Sequence, residues 1–219
     1  MKKAAVILCG SGFKDGSEIR EAVGVLWALS AEGVATSIFA PDEPQADVVN
    51  CLTGEVAKGE SRNQLVEAAR IARGAVKPIT QLQAQGFDFL VLPGGFGAAK
   101  NLCTFAKEGS RGKVNVEVKR VLEDFHGQGK PIGAVCIAPA LVGMAFAGKG
   151  FELTLGAGGE AAAELEKLGH QHRPKAASEW HVDSKNKVVS SPAYMHDDAP
   201  LHEIFTGIQG LVRELCRLA

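Results

Sequence analysis

Four short runs rich in apolar residues, Ala4–Cys9, Val34–Ala40, Phe87–Leu92 and Ile132–Val135, constrain the fold of this chain most tightly. Each is four to seven residues long and is followed by glycine or proline punctuation, and then by a helical pattern. Runs of this kind read as strands covered on both faces, the situation of a parallel sheet with helices above and below. Alternation of strand and helix along the chain therefore predicts an α/β fold with a mostly parallel sheet. In such sheets ligands bind beyond the carboxyl ends of the strands. Three loops belong at that edge: Gly10–Gly16, Pro93–Gly97 and the turn at Cys136.

Between the strands, Asp15 or Ser17 is expected to cap a helix reaching about Ala31. Ile19, Ala22, Val23, Leu26, Trp27 and Ser30 share one face of it, and the opposite side, Ala22 to Leu29, carries no charge either. A helix that is apolar all round is covered all round, one side by the sheet and the other by a second layer or subunit. The expectation is a homodimer through this first helix. Ser61-Arg-Asn-Gln64 has a capping-box pattern opening a helix that stops near Gly74. Val118, Val121, Leu122 and Phe125 mark an amphipathic helix ending at Gly127. Pro139–Ala147 reads as a helix, Phe151–Leu155 as a strand, Glu160–Leu168 as a helix and Val182–Ser190 as a hairpin. Leu201, Ile204, Phe205, Ile208, Leu211, Val212 and Leu215 mark a closing helix. Gln45–Gly59 reads as a small hairpin or an extended excursion. No repeat or linker divides residues 1–219, so one domain is expected.

Composition narrows the function class. With 24 Lys and Arg against 25 Asp and Glu, the net charge of −1 gives no nucleic-acid footprint. No apolar run approaches the roughly 20 residues that span a bilayer. The five cysteines are odd in number, widely spaced and free of C-x-x-C pairs, which argues against a disulfide framework or zinc ribbon. A cytoplasmic, reducing location is expected.

Chemistry concentrates around Cys136, set between an apolar strand and a helix with proline in its first turn. A thiol there faces unpaired backbone donors and the positive end of a helix dipole, an arrangement that favours the thiolate. A small buried hydrophobe is the competing reading. Glu18 and Glu21 open the first helix at the same edge. Glu21 falls on the helix's second apolar face, where a buried carboxyl keeps its proton and can bond to sulfur. It is the candidate acid/base, with Glu18 a supporting contact. The glycines of Pro93–Gly97 let backbone N–H groups approach a ligand, and the amides of Gly95 and Ile137 are the candidate oxyanion donors. No G-x-G-x-x-G stands at a strand-to-helix junction, so no dinucleotide is implied. His170 and His172 lack a third metal ligand, and no metal is expected. His181 and His196 lie where a triad base could fall but read as surface residues.

Together, Asp15-Gly-Ser-Glu-Ile-Arg-Glu21, Leu92-Pro-Gly-Gly-Phe-Gly-Ala-Ala-Lys-Asn101, Ala134-Val-Cys-Ile-Ala-Pro139 and Val189-Ser-Ser-Pro-Ala-Tyr-Met195 resemble the ElbB glyoxalase family. These are isoprenoid-biosynthesis proteins with an amidotransferase-like domain, within the superfamily of PfpI peptidases and the parkinsonism-associated deglycase. The resemblance spans nearly the whole chain. It implies a flavodoxin-like three-layer sandwich with a cysteine nucleophile elbow, a homodimer, and a cytoplasmic enzyme that needs no cofactor and acts on glyoxal or related aldehydes. By position it implies Cys136 as nucleophile, Glu21 beside it, and Gly94, Gly95, Ile137 and Asn101 around the substrate. PfpI-type peptidases place histidine directly after the cysteine, where this chain has Ile137. Class I glutamine amidotransferases carry G-x-C-x-G and a later His-x-Glu pair, whereas this chain has Ala134-Val-Cys-Ile-Ala138 and no such pair. The reading is a thiol-dependent glyoxalase, with removal of early glyoxal adducts from proteins as a related activity. A redox sensor using the same thiol is the alternative.

Overall fold

Alternate residues of the first strand point into two separate cores, and this divides the molecule into layers. A computed structural model describes residues 1–219. In β1 (Lys3–Ile7) and the residues that follow it, Ala5, Ile7 and Cys9 pack into one core, while Ala4, Val6 and Leu8 pack into the other. The remaining strands of the main sheet are β2 (Ala35–Ala40), β3 (Val76–Pro78), β4 (Phe89–Leu92), β5 (Ile132–Val135), β8 (His181–Asp183) and β9 (Val188–Ser191). Their order is β3-β2-β1-β4-β5-β9-β8, parallel throughout except for the antiparallel edge pair β8–β9. A separate parallel pair joins β6 (Glu152–Leu153) to β7 (Gln171–His172). This is the expected three-layer, flavodoxin-like sandwich.

One face carries α1 (Ile19–Ala31), α2 (Gln64–Ala72) and α8 (Leu201–Leu218), and the other carries α5 (Val116–Gly127) and α6 (Ala138–Ala145). Short helices α3 (Phe96–Lys100) and α4 (Phe105–Glu108) and the helix α7 (Glu160–Lys167) complete the set. The closing helix α8 buries Ile204, Ile208, Leu211, Val212 and Leu215, each contributing roughly 1.5–3 kcal/mol of apolar burial. Gly133 of β5 is a glycine because α8 presses there: an added Cβ would lie 2.5 Å from Leu215 Cδ1.

Several boundaries differ from the sequence reading for local reasons. Neither Asp15 nor Ser17 caps α1. Ser17 Oγ accepts from Cys9 N at 2.9 Å and Asp15 Oδ2 from Val49 N at 2.8 Å, which leaves Glu18 as the cap. Asn63, not Ser61, caps α2. The expected strand at Phe151–Leu155 shortens to Glu152–Leu153. Val76–Pro78 is an edge strand too short to show a period. Residues 45–59 form a small loop closed by an antiparallel bridge between Val49 and Val56.

Around α1 the burial is one-sided. Ala22, Val25, Ala28 and Leu29 are buried, whereas Ile19, Val23 and Trp27 are exposed in the single chain. Trp27 does touch Phe205 of α8, the ring centroids lying 5.8 Å apart.

Candidate active site

β1 lies between β2 and β4, and the chain reverses its winding direction there, so the crevice at the carboxyl ends of β1 and β4 is the natural ligand site. Three chain segments meet in it. Cys136 follows β5 with φ of 59°, in the left-handed region that a non-glycine residue rarely adopts. Its N–H donates to Ser191 O at 2.8 Å, which ties the turn to the end of β9. The chain then enters α6 with proline in the first turn. This is the strand–cysteine–helix elbow expected from the sequence.

Glu21 approaches from α1 and is fully buried. Its Oε2 accepts from Gly94 N at 3.1 Å and its Oε1 from Tyr194 N at 3.2 Å. Its carboxyl neighbours the Cys136 side chain closely enough for each to shift the other's titration. Gly94 is where the segments crowd most. A Cβ added there would lie 2.5 Å from Cys136 Cβ, 2.7 Å from Glu21 Oε2 and 2.8 Å from Val135 O. Only glycine lets β4, the thiol and the carboxyl converge. Gly95 has φ of 96° and an added Cβ there would meet Glu18 N at 2.4 Å.

Electrostatics follow from burial. Burial pushes the Glu21 carboxyl up to about 8; the Glu18 carboxyl adds to the rise, while Cys136 and the amides of Tyr194 and Gly94 oppose it. Burial also pushes the Cys136 thiol well above its ordinary value, and Glu21 adds to that, against the amides of Gly95 and Ile137. Here the structure corrects the sequence reading. A helix N-terminus alone favours a thiolate, but this sulfur is shielded from water and shares its enclosure with an acid. The two groups titrate as a pair. The carboxyl holds its proton less tightly than the thiol and loses it at about 8, and the carboxylate left beside the sulfur is the base that can take the thiol proton.

Other expected residues divide between the cavity and the scaffold. Glu18 lines the cavity, and its Oε2 accepts from Glu21 N at 2.6 Å, while burial raises its carboxyl. The amides of Gly95 and Ile137 lie near enough the Cys136 side chain to oppose the rise in its value. The Gly94 amide instead holds Glu21. Asn101 is turned away from the substrate space: its carboxamide accepts from Ala46 N at 2.8 Å and donates to Cys9 O at 3.1 Å and Asp15 O at 2.9 Å. Its work is to pin the first glycine loop. No histidine lines the cavity. His181 pairs with Glu152 at 3.0 Å, His196 meets Lys175 O at 2.9 Å, and buried His170 accepts from Phe151 N while its other nitrogen meets Gly143 O.

Tyr194 has no role assigned from the sequence, yet it is the chain's one tyrosine and lies in the site. Ala193, with φ of 44°, turns the chain so that the Tyr194 amide reaches Glu21. Arg20 Nη1 donates to the Tyr194 hydroxyl at 2.9 Å. The available signal was its place just beyond the strand that neighbours the Cys136 strand. The cavity over Cys136 has a volume of about 900 Å³.

Comparison with known proteins agrees with the fold. No family model matches the sequence. The chain is 47% identical over 225 residues to a human protein, the mitochondrial glutamine amidotransferase-like class 1 domain-containing protein 3, covering 99% of this chain and 83% of that one. A crystal structure of an isoprenoid biosynthesis protein with amidotransferase-like domain from Ehrlichia chaffeensis superposes with a TM-score of 0.92 at 37% identity, over 100% of this chain and 99% of that chain. Drosophila melanogaster DJ-1beta shares the fold at a TM-score of 0.56 and 17% identity, over 100% of this chain and 95% of that one.

Proposed function

This chain belongs to the family of glutamine amidotransferase-like class 1 domain proteins that includes the ES1 proteins, and from that premise we propose that it is a cofactor-independent glyoxalase of the ElbB kind, converting glyoxal to glycolate. The observation that carries this reading is the pairing of Cys136, on its left-handed turn, with a buried Glu21 held by two amides.

In the proposed cycle the singly ionised pair supplies the sulfur nucleophile. Sulfur adds to one aldehyde carbon while Glu21 takes the thiol proton and passes it to the alkoxide that the Gly95 and Ile137 amides polarise, so Glu21 is a carboxylate again. The hemithioacetal carbon loses its proton to Glu21, giving an enediol, and Glu21 returns the proton to the neighbouring carbon. The product is a thioester of glycolate, which water cleaves to release the acid and restore the thiol. One water is consumed, one carbon is oxidised and its neighbour reduced, so no external electron acceptor is required. Glu18, which lines the cavity, would accept a proton from that water.

Incubating wild-type protein and Cys136→Ser with glyoxal tests this. Glycolate from the first and none from the second is expected. No glycolate from either, with Cys136 alone oxidised by peroxide, overturns the enzyme in favour of a redox sensor, for which a protonated Glu21 would hold the oxidised sulfur. Removal of early glyoxal adducts from proteins would proceed at the same thiol. We further propose a homodimer through the exposed Ile19, Val23 and Trp27 of α1, and a reducing compartment. No helix is long and apolar enough to cross a membrane.

A further inference from the structure

Glu18 and Glu21 reach the site on the first turn of α1, so their placement depends on the glycine loop that leads into that helix. Inside the loop, Gly12 N donates to Ser17 O at 2.9 Å and Gly16 N to Gly12 O at 2.7 Å. Three backbone bonds join it to the segment after β4: Glu18 N to Gly94 O at 3.0 Å, Phe96 N to Phe13 O at 2.8 Å and Gly97 N to Gly16 O at 3.0 Å. The two segments touch without slack, a Cβ added on Gly97 lying 2.5 Å from Gly16 Cα. A small displacement of the loop therefore moves the start of α1 against the β4 segment.

Asn101, just after α3, closes this loop from outside the cavity. Its single Nδ2 donates to Cys9 O at 3.1 Å and to Asp15 O at 2.9 Å, carbonyls at opposite ends of the loop. Its Oδ1 accepts from Ala46 N at 2.8 Å, which adds the excursion over residues 45–59. No other side chain offers two donors and an acceptor on so short a stem, and a carboxylate here would set lone pairs against both loop carbonyls. The excursion has further anchors of its own: Lys100 Nζ pairs with Asp47 Oδ2 at 3.0 Å, and Val49 N donates to Asp15 Oδ2 at 2.8 Å. What Asn101 alone supplies is the link between the two ends of the glycine loop.

We propose that Asn101 is a positioning residue: by clasping both ends of the first glycine loop it fixes the start of α1, and with it the carboxyl of Glu21, against Cys136. The role rests on the glyoxalase reading for its effect on turnover, though not for its effect on the thiol. Opening the clasp frees the first turn of α1 to move away from Gly94 and admits water to Glu21. Burial is the largest cause of the raised Glu21 value, so hydration brings it down from about 8 toward the ordinary 4.5.

Alkylation of Cys136 by iodoacetamide, followed against pH by mass spectrometry of its peptide, reads the placement of Glu21. Asn101→Ala is expected to move the wild-type rise near about 8 to lower pH by about one unit or more. Asn101→Asp keeps an acceptor for Ala46 N and loses both loop donors; it should lower kcat for glyoxal about tenfold with KM within about twofold, as a misplaced acid/base does. Asp47→Asn, which weakens only the excursion's ion pair, should match wild type in both assays. An unmoved rise in Asn101→Ala, with only the melting temperature lowered, overturns the proposal and leaves Asn101 a stabilising residue. An equal shift in Asp47→Asn also overturns it, by assigning the effect to the excursion. If Asn101→Ala does not fold, Asn101→Ser, which retains a hydroxyl donor, is read in the same way. If the wild type consumes no glyoxal but the rise shifts in Asn101→Ala, the clasp stands and the glyoxalase reading falls. If glyoxal is consumed and the rise stays in place, the reverse holds.

Discussion

Four non-glycine residues hold positive φ, and they fall into two pairs. Arg73, at 52°, ends α2, where its N–H donates to Ala69 O, and Lys187, at 54°, lies in the turn between β8 and β9. Cys136, at 59°, and Ala193, at 44°, are buried and follow the neighbouring strands β5 and β9. Each conformation costs on the order of 1 kcal/mol. At the first pair it does nothing glycine could not do better. In the second it aims a thiol and an amide at the same carboxyl. Strain of equal size is thus a detail of chain reversal in one place and part of the chemistry in the other.

Substitutions can break or sharpen this contrast. The largest effect is expected from Cys136→Ser, which should lower glycolate formation by at least about 10³-fold while the fold, followed by circular dichroism, persists. Gly94→Ala should come next, because its methyl group would overlap both the Cys136 Cβ and the Glu21 carboxyl. We expect a stability loss of roughly 1–3 kcal/mol in urea titrations and activity down by about 10²-fold. An active, stable Gly94→Ala protein would show that the crowding is unimportant.

Glu21→Gln addresses the pair's titration. In wild type, alkylation of Cys136 by iodoacetamide should rise with pH around the Glu21 value of about 8, since the Glu21 carboxylate formed there can take the thiol proton. The variant should lose that limb. Stability gives an independent readout. The folded value is raised from 4.5 to about 8, so the folded state keeps a proton that the unfolded chain has released. This contribution is complete below pH 4.5 and is lost as pH rises through about 8, on the order of 5 kcal/mol. Melting curves at both ends of that window should converge in Glu21→Gln relative to wild type.

Smallest are the glycine substitutions. Arg73→Gly and Lys187→Gly should each stabilise by roughly 0.5 kcal/mol with unchanged turnover. Ala193→Gly should stabilise as much but slow turnover severalfold, because a looser turn lets the Tyr194 amide leave Glu21. Equal turnover in all three would erase the distinction between the pairs.

The sheet was legible because buried parallel strands announce themselves as apolar runs, and Cys136 and Glu21 because one ends such a run and the other interrupts an apolar helix face. Asn101 misled because a motif records which residues are present, and not whether a carboxamide faces the ligand or braces a loop. Tyr194 escaped notice because its contribution is a backbone N–H, which leaves no mark on side-chain identity. The thiol's environment was misjudged for a different reason. Helix position can be read along the chain, whereas exclusion of water depends on segments that meet only in three dimensions.

Gly94 carries a lesson for anyone grafting this pocket onto another scaffold. Copying the sulfur and the acid would import the reagents without the room in which they meet. A transplanted design would have to reproduce an empty position, a place where the host backbone passes within van der Waals reach of both groups and carries nothing at all.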